Sequence, residues 1–199
     1  MEFIYDDDTL AIEVVGAIRT GDTESLGVHL AAHPQLVHLG IVSRDRKSCP
    51  TPQARTLLHI ATDWPGHYPN GAAIIRMLVD AGANVNARFT GPHTETPLHW
   101  AASNDDIDAL DALLDAGADI EAPGAGRVSR QDQVIVAFWC ACHGGQPSSV
   151  EYLLHRGADL SWASDWDGLT PLDAAKRSEA HDLVQWLIRQ GAKSADELR

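Results

Sequence analysis

Apolar doublets recur along this chain at a fixed distance from a glycine. Leu113-Leu114, Leu153-Leu154 and Leu187-Ile188 stand just ahead of Gly117, Gly157 and Gly191, and Leu78-Val79 stands in the same way ahead of Gly82. Such a doublet predicts the apolar stripe of a helix, and the glycine predicts its end in the left-handed conformation. A second apolar segment precedes each doublet, and its opening residue keeps a constant distance from the glycine. Thr96 to Gly117, Val136 to Gly157 and Thr170 to Gly191 are each 21 apart, whereas Thr56 to Gly82 is 26, an insertion of five. The pattern therefore predicts pairs of helices. Pro97 and Pro171 suit a first helical position, where a missing N–H costs nothing. Ala101 and Ala102 are small enough for neighbouring first helices to approach closely. One pair cannot bury its own apolar face, so the pairs must stack to make a shared core.

The letters at each opening are specific. Thr96-Pro97-Leu98-His99-Trp100-Ala101 resembles the Thr-Pro-Leu-His-x-Ala signature of the ankyrin repeat family in full. Thr56 to Ala61 departs in having Leu57 for proline, and Thr170 to Ala175 has Asp173 for histidine. The copy that opens at Val136 keeps the spacing and loses the letters. The resemblance covers roughly residues 9–193. It implies an all-α ankyrin-repeat solenoid of about five stacked helix pairs with extended finger loops. The expected divisions are a degenerate N-terminal capping repeat with a long finger over 1–55, and four repeats over 56–193 (about 56–95, 96–135, 136–169 and 170–193). A frayed tail over 194–199 completes the chain. Within the first unit, Ala17 to Asp22 reads as a helix end and its turn, and Leu26, Leu30 and Ala31 mark a second helix closing at His33-Pro34. Asp6, Asp7 and Asp8 place negative charge at a helix start, where the dipole favours it.

Composition narrows the function classes. The 199 residues are 44% hydrophobic, ordinary for a folded domain, and carry a net charge of −13. A surface so acidic repels nucleic-acid phosphates and anionic lipid, so neither partner is expected. No apolar run is long enough for a transmembrane helix, and Met1 to Asp8 lacks a signal-peptide pattern. Three cysteines (Cys49, Cys140 and Cys142) are too few and too oddly numbered for a disulfide framework. They suit a reducing, cytoplasmic setting. Cys140 and Cys142 lack the second pair a zinc site needs, so no metal and no cofactor are expected.

Departures from the repeat carry the candidate chemistry, because loops host function more often than scaffold does. Residues 34–55 and 120–135 form long fingers, and 62–71 hold the insertion. Seven of the 15 Lys and Arg (Arg44, Arg46, Lys47, Arg55, Arg88, Arg127 and Arg130) fall in the fingers. The resemblance aligns fingers along one rim, which gives an acidic protein a locally basic edge able to attract a carboxylate, a phosphate or an acidic peptide. It also puts groove-facing residues seven and eight positions after each opening: Asp63 and Trp64, Ser103 and Asn104, His143 and Gly144, Arg177 and Ser178. Trp100 and Cys140 lie nearby.

The expected function is non-catalytic recognition of a protein or peptide partner by a monomer. Trp64, Trp100, Asn104 and His143 are its groove anchors, and Arg88, Arg127 and Arg130 its rim cations. The alternative is a small-molecule pocket or an enzyme, closed by the 62–71 insertion and the long fingers over Trp64, Trp100 and His143. A small anionic ligand would suit it, and Asp63 and His143 would be its acid/base pair. Those two residues come from repeats two apart, roughly 20 Å at about 10 Å per helix layer. No Gly-rich phosphate loop, nucleophile elbow or His-Glu-x-x-His motif is present. The resemblance assigns His59 and His99 a structural role, bonding locally to threonine and backbone.

Overall fold

A computed structural model describes residues 2–44, 53–91, 94–126, 133–164 and 168–198. Five helix pairs follow one another as the spacing predicts: α1 (Thr9–Thr20) with α2 (Thr23–Ala32), α3 (Leu57–Ala61) with α4 (Gly71–Asp80), α5 (Pro97–Ser103) with α6 (Ile107–Asp115), α7 (Ala137–Gly144) with α8 (Pro147–His155), and α9 (Pro171–Arg177) with α10 (His181–Arg189). The first helices stack on one another from α1 to α9, and α4 packs on α6 in a second layer. The core lies between the layers. Leu58, Leu98, Phe138 and Leu172 fill it from the first layer, and Leu26, Leu78, Leu113, Leu153 and Leu187 from the second. Ala101 and Ala102 are fully buried where first helices meet.

Capping explains where the helices begin. Thr96 and Thr170 close capping boxes with His99 and Asp173, and Pro97 and Pro171 occupy the first turn. Val136 makes no side-chain cap, so α7 is held by packing instead, with Phe138 wholly inside. The glycines at 82, 117, 157 and 191 have φ between 88° and 101°. The amide after each reaches back to the doublet's first residue, as Ala118 N–H does to Leu113 C=O at 2.9 Å.

Short strands add to the helical plan at the edge of the stack. The long first finger supplies β2 (Gly40–Val42) and β3 (Ala54–Arg55), and β1 (Phe3–Tyr5) pairs in parallel with β2. Ala54 and Thr90 then exchange backbone hydrogen bonds, tying the first finger to the second. In the third finger β4 (Gly124–Gly126) and β5 (Gln133–Ile135) form an antiparallel pair. The acidic start stands where the dipole expectation puts it, with Asp8 at the N-cap of α1, but its side chains bond away from the helix. Asp8 accepts from Tyr5 N–H, while Arg44 pairs with Asp7 at 2.6 Å and Asp8 at 3.6 Å and lies over the Tyr5 ring. Arg44 is thus a staple between β1 and the finger.

The tail expected to fray instead forms α11 (Ala195–Leu198). Ser194 and Glu197 bond at 2.7 Å across its first turn, and Ala195 N–H donates to Asp173 Oδ2 at 2.8 Å.

Candidate functional site

Each first helix presents one residue at its C-terminal end, seven positions after the repeat opens. The row is Arg19, Asp63, Ser103, His143 and Arg177. Counting back three residues from the second helix's N-cap (Asp22, Asp106, Gln146, Ala180) gives the same place in four of the pairs. All but Asp63 are exposed. Asp63 is held by its neighbours, with Arg55 Nη1 at 2.7 Å and Arg19 Nη2 at 3.8 Å from the same carboxylate oxygen.

The residues singled out from the sequence fall into different settings. Trp64 is 79% exposed, covered by neither insertion nor finger. The rest of the insertion runs along the turns of adjacent repeats. Asn70 Nδ2 donates to Gly21 C=O at 2.9 Å, His67 N–H to Asp106 Oδ2 at 2.6 Å, and His67 Nε2 pairs with Asn104 C=O at 3.0 Å. An insertion bonded in this way is a strap along the turns, which corrects its expected part in closing a pocket over Trp100. The tips of the long fingers lie outside the described residues. Asn104 belongs to the same stitching, since its Nδ2 donates to Thr62 C=O at 2.9 Å. Trp100 is half-buried, with His59 edge-on at 4.9 Å and Phe89 at 5.4 Å, and its Nε1 donates to Glu95 at 2.8 Å.

His143 is exposed and stacks on Trp139 at 4.9 Å, while Asp63 is engaged by the two arginines, so the conceivable acid/base partners have separate settings. Arg88 donates to Thr94 C=O and to Pro123 C=O, a bridge from the second finger to the third. Arg127 and Arg130 lie outside the described residues, as do Arg46, Lys47 and Cys49.

His59 and His99 take the structural role assigned to them. Each Nε2 faces a carbonyl of the next finger at 3.1 Å, Glu95 for one and Ile135 for the other, so Nε2 carries the proton. Each Nδ1 then accepts from the repeat's own threonine hydroxyl at 2.8 Å. Burial removes the water a charged ring would need and pushes both pKa values down to about 4. Burial likewise pushes the Cys140 and Cys142 thiols up, away from reactivity.

Sequence comparison gives this architecture a family. A sequence model described as ankyrin repeats (3 copies) matches residues 28–123, and one described as ankyrin repeat matches 136–165, together more than half of the chain. The chain belongs to the ankyrin-repeat family. Similar proteins include an ankyrin repeat and KH domain-containing protein of Caenorhabditis briggsae, 28% identical over 183 residues. That alignment takes in 80% of this chain and 7% of the relative. The B-cell lymphoma 3 protein homolog of Mus musculus is 31% identical over 122 residues, 60% of this chain and 25% of its own length. Ankyrin repeat and SOCS box protein 5 of Oryctolagus cuniculus is 32% identical over 99 residues, 49% of this chain and 27% of its own. The chain thus spans about a quarter or less of these relatives.

Ankyrin repeats are in general protein-interaction modules. In this ankyrin chain two grooves lie on the second layer, away from the first-helix row. One of about 670 Å³ is lined by Ile107, Pro147, Tyr152, Leu154 and Trp186 among others. A smaller one of about 240 Å³ adjoins it through Pro147, Glu151 and Trp186. The larger groove lies between α6, α8 and α10. No group of three or more His, Cys, Asp or Glu able to hold a metal occurs among the described residues, and no described helix is long and apolar enough to cross a membrane. Sequence reasoning missed Arg19. Its signal was present, because counting back from the turn Gly21-Asp22 gives it the same place as Ser103, but the worn first repeat has no Thr-Pro-Leu-His from which to count forward.

Proposed function

We propose that this chain is a non-catalytic binding module that takes a segment of a protein partner along its first-helix wall and finger rim. The observation that carries the reading is the charge and exposure of that wall. Arg19, Arg55, Lys176 and Arg177 stand along or beside it in a chain whose net charge is −13. A cation-bearing face on an acidic body attracts and orients an acidic partner while the remaining surface discourages other contacts. The aromatic side chains Trp64 and His143 on the same edge offer contact area at little entropic cost.

The experiment is site-directed photocrosslinking in native lysate. A photoreactive residue at Ser103 or His143 should trap a discrete protein partner, and one at Glu151 on the second layer should not. Trapping from Glu151 with none from the first-helix row would refute the reading.

A further inference from the structure

The Arg19–Asp63–Arg55 cluster has more positive charge than its internal pairing uses. One carboxylate faces two guanidinium groups, at 2.7 Å and 3.8 Å, so the cluster keeps a net charge of about +1. The geometry is uneven in a useful way. Arg55 makes the short bond and its side chain is 32% exposed; Arg19 makes the long contact and is 48% exposed. Asp63, at 22%, sits beneath them. It orients Arg55 without exhausting the donors of either fork, and each guanidinium has five N–H groups arranged to meet a carboxylate or phosphate in bidentate fashion.

Exposed apolar side chains flank the cluster. Trp64 follows Asp63 directly, with its N–H bonded to the Asp63 carboxylate at 3.0 Å, and is 79% exposed. Ile12 lies seven residues before Arg19 on α1, two helical turns back on the same face, and is 58% exposed. Ile12 and Trp64 are thus large exposed apolar side chains on the segments that carry Arg19 and Asp63. Their exposure contrasts with the core residues of α1 and α3, which are buried.

We infer that Arg19 and Arg55, with Trp64 and Ile12 at their sides, form an anchor for an acidic peptide segment that carries an apolar residue next to a carboxylate. The anchor rests on the binding-module reading and narrows it to a place and a chemistry. The partner's carboxylate meets the exposed arm of Arg19 and the remaining donors of Arg55. Its apolar neighbour covers Trp64 or Ile12. Asp63 neutralises one of the two arginine charges, so the surplus that draws an anion is lost if either arginine is removed.

The test is selection of binders from a random 12-residue peptide display library, with affinities then measured by fluorescence anisotropy on the selected synthetic peptides. Selected peptides should be enriched in Asp and Glu adjacent to Leu, Ile, Phe or Trp. Arg19→Gln should weaken them roughly 5-fold and Trp64→Ala roughly 10-fold, the ordinary ranges for one charge-assisted contact and one aromatic anchor. Both substitutions are at exposed positions, and Arg19→Gln leaves the short Arg55–Asp63 pair in place, so melting temperatures should stay at the wild-type value. Raising the salt from 50 to 300 mM should weaken binding of the same peptides. Peptides that lack acidic enrichment, or that bind Arg19→Gln and wild type alike, overturn the anchor. If those peptides still lose affinity on His143→Glu, the binding-module reading survives the anchor's failure. If they respond only to Trp186→Ala on the second layer, both fail. Recovery of no peptide binding below 100 μM also overturns the anchor.

Discussion

Acidification should weaken this protein through two side chains buried in its stack. His59 and His99 are neutral in the fold, each holding a carbonyl of the next finger through Nε2 and a threonine hydroxyl through Nδ1. Their pKa values stand at about 4, pushed down by burial, against about 6.5 in an unfolded chain. The unfolded state therefore binds more protons between those values, and stability falls as pH falls through that window. The contribution is fully present above pH 6.5 and is lost by the time pH reaches about 4. At pH 5.5 the linkage relation gives a loss of about 1.4 kcal/mol per histidine, about 3 kcal/mol for the pair. That is a sizeable part of the 5–15 kcal/mol usual for a domain. With a urea slope of about 2–3 kcal/mol/M, the unfolding midpoint should drop by about 1–1.5 M between pH 7.5 and 5.5. Glu121, whose carboxyl burial pushes up, acts in the opposite sense at the acid end, so the comparison stops at pH 5.5. A variant with His59→Gln and His99→Gln should be less stable at pH 7.5 but lose much less between the two pH values. An unchanged wild-type midpoint, or a variant with the same pH slope, would refute the reasoning.

Other consequences follow from the packing of single residues. Gly21 and Gly117 both have positive φ, 74° and 88°, but a Cβ at Gly21 would stand 2.3 Å from Pro69 C=O, whereas one at Gly117 meets nothing within 4 Å. Gly117→Ala should cost about 1 kcal/mol, the backbone penalty alone, and Gly21→Ala roughly 3 kcal/mol or more, because the strap would have to move; chemical denaturation separates the two. Asn104→Ala should lower stability by about 1 kcal/mol through loss of its bond to Thr62 C=O and leave partner affinity within twofold, since its side chain joins repeats. A large affinity loss with unchanged stability would return Asn104 to the binding face.

The helix pairs and their register were legible because a solenoid repeats its constraints, and each repeat restates the positions of apolar residues and glycines. What the insertion does was not legible. Asn70, His67 and Asn104 meet backbone groups 37 to 49 residues away, partners that no local spacing reveals. The strands in the fingers were hidden for a similar reason, since β1 is three residues whose partner lies beyond α2.

The fourth letter of the motif shows how far a sequence can speak to such contacts. At that place His59 and His99 donate from Nε2 to a carbonyl of the next finger, while Asp173 accepts Ala195 N–H. The exchange of histidine for aspartate reverses donor and acceptor, so the letter records what the next segment presents. Asp173 also accepts from the Thr170 amide and hydroxyl, and these bonds, with Lys176 nearby, keep its carboxyl below its ordinary pKa despite partial burial. Trp139 breaks the rule. Its Nε1 is buried without a hydrogen-bond partner among the described residues, and its ring is spent on stacking with His143. An unpaired buried donor costs about 1–3 kcal/mol, which the other repeats avoid among the described residues. The third full repeat therefore relinquishes the bond to the following finger or segment that its neighbours keep and, in exchange, sets an exposed imidazole face-on against an indole on the first-helix row. That substitution is where the scaffold's own logic yields to the surface, and the sequence marked it by losing the family's letters at Val136.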